Sequence, residues 1–520
     1  MALLANGVAC APTSGSGVVT SKTLKSITVN GDTGANTLIV DIRNGIFAKG
    51  AMTVDLGATG ASEIAVLGQD KADKMICKNA KADGSGSDGI DLDGDKTADV
   101  NVAYYTTNHF TIDLGAGDDT FDQTNCKTKM SVYGSAGKDT ITVGTVITTK
   151  GDIFSGGTDG TDAAESADTI TFAARAAGVT VKLDALANDG DTTTSENDTV
   201  MNDFEIVTGS AYNDIMQGGK GIVGSVATPR NASYIFNGGA GDDTMSSWAT
   251  WPVAFNGGDG TDTVDYSDAV SRASAGSITV TMDGAKADDG ETGDTDNVGA
   301  DVENLIGTAN DDVITGNAKP NKITPGDGDD TVNGGDGDDT MVAGTTHDGN
   351  DTFNGGLGSD TVDYSARTDA IGVCVVLDGS KPSGTCNIAV DSTDVTITAH
   401  ALVWATAEPI ADVAVEQDVI GAKGDVENVT GTTAADYLLG TSAANTIIGG
   451  GDSAATALAG GDVIVGGAGN DSLDANAYAW SLGVATPTCG ALSVVVCGGD
   501  PMDLASCKSG GVFDGCWKTQ

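Results

Sequence analysis

Residues 307–363 read GTANDDVIT, GNAKPNKIT, PGDGDDTVN and GGDGDDTMV, then, after Ala343, Gly344 and Thr345, THDGNDTFN and GGLGSDTVD. These are six nonapeptides in near-perfect register, and the later ones converge on G-G-x-G-x-D-x-U-x, with U apolar. The strict form returns at Gly238–Ser246, Gly257–Asp265, Gly334–Val342, Gly355–Asp363 and Gly466–Asp474. A chain that repeats itself at this period is built by stacking, because one nonapeptide cannot bury its single apolar side chain alone.

The spacing carries its own chemistry. Three glycines in four positions permit positive φ and a tight turn that leaves backbone carbonyls exposed on its inside. The following D-x-U-x, as in DTVD or DTMV, alternates polar and apolar and reads as a minimal strand with U inward. Stacking brings the acidic turns of successive units together, and something must neutralise them. Carbonyl and carboxylate oxygens, with no thiolate or imidazole, suit Ca²⁺ rather than zinc or copper. The sixth-position carboxylates are Asp119, Asp139, Asp214, Asp243, Asp262, Asp312, Asp330, Asp339, Asp351, Asp360, Asp462 and Asp471. The turn glycines that go with them are Gly239, Gly241, Gly258, Gly260, Gly328, Gly335, Gly337, Gly349, Gly356, Gly358, Gly467 and Gly469.

These nonapeptides resemble those of the RTX (repeats-in-toxin, haemolysin-type calcium-binding) family, over roughly residues 114–474. The resemblance implies a parallel β-roll in which two nonapeptides make one coil and several Ca²⁺ ions sit between turn n and turn n+2. Carried over by residue, it places ions between the turns of Asp330 and Asp351 and between those of Asp339 and Asp360. The expected fold is therefore all-β, an elongated parallel β-roll or β-solenoid.

Composition agrees. Aromatic residues make up 5% of the 520 residues and Gly numbers 75, too few large side chains for a broad conventional core. The net charge of −48 excludes nucleic acid as a partner, since phosphate is repelled. Nine of the 74 acidic residues are Glu and the rest Asp, a bias toward the shorter ligand that general solubility does not require. With calcium withdrawn, the stacked carboxylates repel and much of the roll is expected to unfold. No apolar run reaches the ~18 residues of a membrane span. The opening MALLANGVACAPTSGSG lacks a basic segment and reads at best as the remnant of a signal peptide, with Cys10 in a loose acylation-like context.

Nine cysteines are more than the RTX pattern usually carries. Cys374 and Cys386 bracket a short loop, Cys489, Cys497, Cys507 and Cys516 crowd the C-terminus, and no C-x-x-C occurs. Disulfides in an oxidising extracellular or periplasmic setting are the expectation, with Cys10 left over.

Along the chain, residues 1–110 form a β-rich region with degenerate repeats, GDTGANTLI at Gly31 and GQDKADKMI at Gly68. Asp91, Asp93 and Asp95 cluster there, but Lys96 stands where an EF-hand needs its turn glycine. Residues 111–474 hold the nonapeptides within a larger repeat of about a hundred residues. Its landmarks are the strands GVTVKLDA at 178, SITVTMDG at 277 and GVCVVLDG at 372, and the closing motifs DFEIVTGS at 203, DVENLIGT at 301 and DVENVTGT at 425. An insertion at 380–424 contains Cys386, His400 and Trp404. Residues 475–520 read as a disulfide-stapled cap that protects the open end of the roll.

Catalytic motifs do not emerge. His109, His347 and His400 are scattered outside any H-E-x-x-H, and no G-x-S-x-G occurs. Three readings follow: a calcium-binding extracellular structural or adhesive protein; a secreted polysaccharide-active enzyme with its site in a solenoid groove; and an ice- or mineral-binding surface. The partners of the first are calcium, cell-surface polysaccharide and further copies of the chain. Threonine at position seven (Thr120, Thr244, Thr263, Thr340, Thr361) favours the third, but position three varies too much for a flat array.

Overall fold

A computed structural model describes residues 4–5, 8–9, 27–30, 35, 37–43, 52–56, 62–79, 88–94, 97–102, 109–123, 126–145, 151–157, 167–193, 196–218, 234–246, 252–267, 276–346, 348–368, 373–377, 418–421, 425–432, 436–440, 444–449, 463–465, 472–474, 494–496, 504–506 and 512–514. All regular elements among them are strands, and nearly all pair in parallel. The fold is the all-β parallel β-roll. It divides into two units, Met1–Asp262 and Thr263–Gln520.

Most described D-x-U-x segments form a three-residue strand with its middle residue buried, as in Thr140–Thr142 and Thr361–Asp363, and Thr331–Asp336 and Thr352–Leu357 run on to six residues. Period-two alternation sends U into the roll, and parallel register stacks it on the U of the next coil. In the first unit one such column runs Met75, Phe121, Ile141, Ile170, Val207, Phe236 and Phe255, all 0–1% exposed. The rings of Phe236 and Phe255 meet edge to face at 6.1 Å. In the second unit Val280, Ile314, Val332, Phe353 and Ile420 stack in the same way, as do Val264, Leu305, Ile323, Met341, Val362 and Val429. The core is thus a set of one-residue-wide apolar columns.

Coiling starts well before Leu114. Glu63–Gln69 pairs with His109–Gly115, and Lys74–Asn79 with Thr120–Asp122, so the degenerate GQDKADKMI is a genuine coil. At the other end, Val494–Val496 and Val512–Asp514 extend the sheet that contains Val463–Val465, and Leu504–Ser506 pairs with Ser472–Asp474. The roll therefore continues into the segment read as a cap; Cys489, Cys497, Cys507 and Cys516 lie outside the described residues, as do Cys10 and Cys386. The disulfide among the described residues joins Cys77 and Cys126, both buried and 49 apart in sequence, a pairing that no spacing rule had suggested.

The larger repeat has a structural counterpart. Val179–Lys182 pairs antiparallel with Gly190–Asp191, and Ile278–Thr281 with Gly290–Glu291. In both excursions one aspartate ties the two limbs: Asp189 accepts from Lys182 and Val200, and Asp289 from Thr281 and Val298.

Candidate metal centre

The sixth-position aspartates form columns along one edge of the strands. The carboxylate of each accepts a hydrogen bond from the backbone N–H of the sixth residue one coil earlier. In the first unit Asp73 donates to Asp119, Asp119 to Asp139, Asp139 to Asp168, and Asp168 to Glu205, at 2.6–2.9 Å. A second column there runs Val179, Asp214, Asp243, Asp262. In the second unit one column is Ile278, Asp312, Asp330, Asp351, Asp418 and another Asn321, Asp339, Asp360, Glu427. Val373 donates to Asp436 in the same manner. The three extra residues at Ala343 are absorbed: Asp330 and Asp351, and Asp339 and Asp360, are neighbours at 3.0 and 2.8 Å from N–H to carboxylate.

One carboxylate oxygen is thereby satisfied; the other differs from rung to rung. At Asp119, Asp243, Asp330, Asp339, Asp351 and Asp360 the second oxygen, Oδ2, is buried with no hydrogen-bond donor, and each residue is at most 1% exposed. A buried, donorless carboxylate oxygen is unfavourable unless a proton or a cation meets it. Burial and neighbouring aspartates push the carboxyls of Asp119, Asp243 and Asp330 up to about 7, and those of Asp339 and Asp360 to about 6. Burial, with Asp418 beside it, pushes Asp351 to about 9.

The glycine pattern explains the access. A Cβ on Gly334 would collide with Asp339 Oδ2 and with the carbonyl oxygen of Gly355 from the next coil. Two hard oxygens thus converge on space that any side chain would fill. Gly335 has φ +114°, a conformation L-residues rarely adopt, so position two also demands glycine here. The donor set fits Ca²⁺: carboxylate and carbonyl oxygens, with no sulfur or imidazole.

Other expected residues fall differently. Asp214 and Asp312 sit in their columns with both carboxylate oxygens hydrogen-bonded, by Ser210 and Thr308 respectively. Asp462, Asp471, Gly467 and Gly469 lie outside the described residues, with His347, His400 and Trp404. Sequence reading passed over rungs at Asp73, Asp168, Asp418, Asp436, Glu205 and Glu427. Asp73 was legible from the frame of GQDKADKMI. The two glutamates lie in the closing motifs, and their longer side chains take the carboxylate position at the end of a column.

Away from the columns, His109 Nε2 lies 3.0 Å from Ser131 Oγ on the sheet face, with burial, aided by Lys129, holding its pKa below the usual imidazole value. Asp91, Asp93 and Asp99 bring one carboxylate oxygen each within 4.8 Å of one another; Asp91 accepts from Gly94 and Asp99 from Leu92. Asp95 is outside the described residues. Arg175 is buried against Glu196 and Asp198, and Arg367 against Asp348. Among the described residues no helix is long and apolar enough to cross a membrane.

The family model described as RTX calcium-binding nonapeptide repeat (4 copies) matches residues 202–221, 299–341, 326–362, 430–453 and 456–477. No curated protein matches the chain. The matched segments contain Asp214, Asp312, Asp330, Asp339, Asp351, Asp360 and Asp436 of the aspartate columns, and such repeats bind several calcium ions. In these segments the chain carries RTX calcium-binding repeats.

Proposed function

We propose that this chain is a structural or adhesive protein that works outside the cytoplasm, its coils ordered by calcium at a cell surface, in a matrix or in a filament. The observation that carries the reading is the set of six donorless, buried carboxylate oxygens on Asp119, Asp243, Asp330, Asp339, Asp351 and Asp360. In this reading these aspartates hold the ions, joined by carbonyls of the turn glycines such as Gly335, Gly337, Gly356 and Gly358. Bound calcium supplies positive charge where like-charged carboxylates stack. The buried Cys77–Cys126 disulfide supports an oxidising compartment. The chain's work is mechanical, and its partners are cell-surface polysaccharide or further copies of itself.

The test is fractionation of the native host. The protein is expected at the cell surface or in the medium, in a form that resists protease with calcium and yields to it after chelation. A cytosolic location, or cleavage of a polysaccharide by the purified chain, would overturn the reading.

A further inference from the structure

Two kinds of turn recur in the columns, and the turn of Asp139, with Ser135 at φ +83° donating to Asp113, belongs to neither. In the open kind the second residue is a glycine with φ between +102° and +118°, as at Gly115, Gly239, Gly326, Gly335 and Gly356, and where the matching aspartate is Asp119, Asp243, Asp330, Asp339 or Asp360 its second oxygen has no donor. In the closed kind the second residue carries a polar side chain and turns its own N–H onto the aspartate. Thr308 donates from N–H (2.7 Å) and from Oγ1 (2.9 Å) to Asp312, and Ser210 does so to Asp214 at 2.5 and 2.8 Å. Thr432 serves Asp436 in the same way, and Gln69 serves Asp73 through N–H and Nε2. Each of these carboxylates has donors on both oxygens without any ion.

The closed turns are not scattered. Asp73, Asp214, Asp312 and Asp436 each stand at or next to the N-terminal start of a column, and the first three precede open rungs. The column through Asp339 begins with an asparagine instead. Asn321 accepts from Asn317 N–H and donates from Nδ2 to the carbonyl of Glu303, so an uncharged amide with its own partners stands where a carboxylate would. The register alone would give Asp214 and Asp312 the same role as their neighbours; the donors on them argue otherwise.

We infer that the repeat array contains built-in calcium-free rungs, at Asp73, Asp214, Asp312 and Asp436, where the side chain and N–H of the second turn residue replace the cation. The inference rests on the calcium reading above and divides its candidate rungs into those that load and those that do not. A carboxylate already surrounded by donors has less need of a metal than one facing only other oxygens.

Calcium counting on the full chain decides it, by native mass spectrometry with calcium chloride as the sole added ligand. Asp330→Asn is expected to lower the bound count by at least one, and Asp312→Asn to leave it unchanged. Thr308→Gly, which restores the open-turn residue, is expected to raise the count by one and needs no loss of a buried charge. Loss of an ion with Asp312→Asn, or no gain with Thr308→Gly, overturns the inference while leaving the calcium reading standing. A wild-type chain that binds no calcium sinks the calcium reading, and this inference with it.

Discussion

Asp339 shows how much one residue can reveal and conceal. Its place at position six, among glycines, identifies it from sequence as an acidic turn ligand. Sequence does not reveal that one oxygen is consumed by Asn321 N–H and the other is left without a donor. That division depends on the coil before it, eighteen residues away. Asp339→Ala or Asp360→Ala should therefore weaken neighbouring turns and raise the calcium needed for half-maximal β-signal in circular dichroism. Asp55→Ala, outside the columns, should do little; equal effects at all three would mean that general acidity, not position, matters. The raised carboxyls also fix the sign of a pH effect. Without calcium, the folded chain keeps protons on Asp119, Asp243, Asp330, Asp339 and Asp360 up to about pH 6–7, whereas an unfolded aspartate releases its proton near 3.8. Their contribution is thus most favourable below about pH 4 and is lost as pH rises through 6–7. In a chelator, acidifying from about pH 8 to about pH 5 should strengthen the β-signal. With calcium present the same protons compete with metal, so apparent affinity should fall over that interval.

At the scale of the coil, the strands were legible and their partners only partly so. The D-x-U-x alternation gives Thr331–Asp336 and Thr352–Leu357 directly, and a constant period gives their parallel register. The excursions at Val179–Lys182 and Ile278–Thr281 were seen as recurring strands, but their antiparallel returns rest on single aspartates that no periodicity marks. The Cys77–Cys126 bond was missed for the same reason: the two cysteines meet because their coils stack, not because of their spacing. Each apolar column stacks one side chain per coil, so a gap in it interrupts the stack. Phe353→Ala, at a fully buried site between Val332 and Ile420, should cost about 3–5 kcal/mol in calcium-loaded thermal or denaturant unfolding. A loss below about 1 kcal/mol would show that the column is not the principal packing element.

For the whole molecule, family and cofactor were readable from the nonapeptides, because turn chemistry and strand period point to the same architecture. Less readable was the extent of the roll, since coils such as Glu63–Gln69 and Val512–Asp514 have lost their glycine signature and keep only the buried alternation or parallel pairing. Chelation should collapse the β-signal and expand the particle in small-angle scattering, and calcium should restore both. Magnesium should not, because it demands octahedral geometry and holds its water. Recovery with magnesium equal to that with calcium would count against oxygen sites of this size and flexibility.

The columns also have a direction. Along the described runs of aspartates the amide points toward the C-terminal neighbour and the carboxylate receives from the N-terminal one. Cutting away a coil at the C-terminal side of a column leaves its last amide to water, a neutral acceptor in place of a charged one. A cut at the N-terminal side instead frees a carboxylate, which water readily solvates. Shortened versions of this protein should therefore tolerate trimming from the front of a column better than from its back.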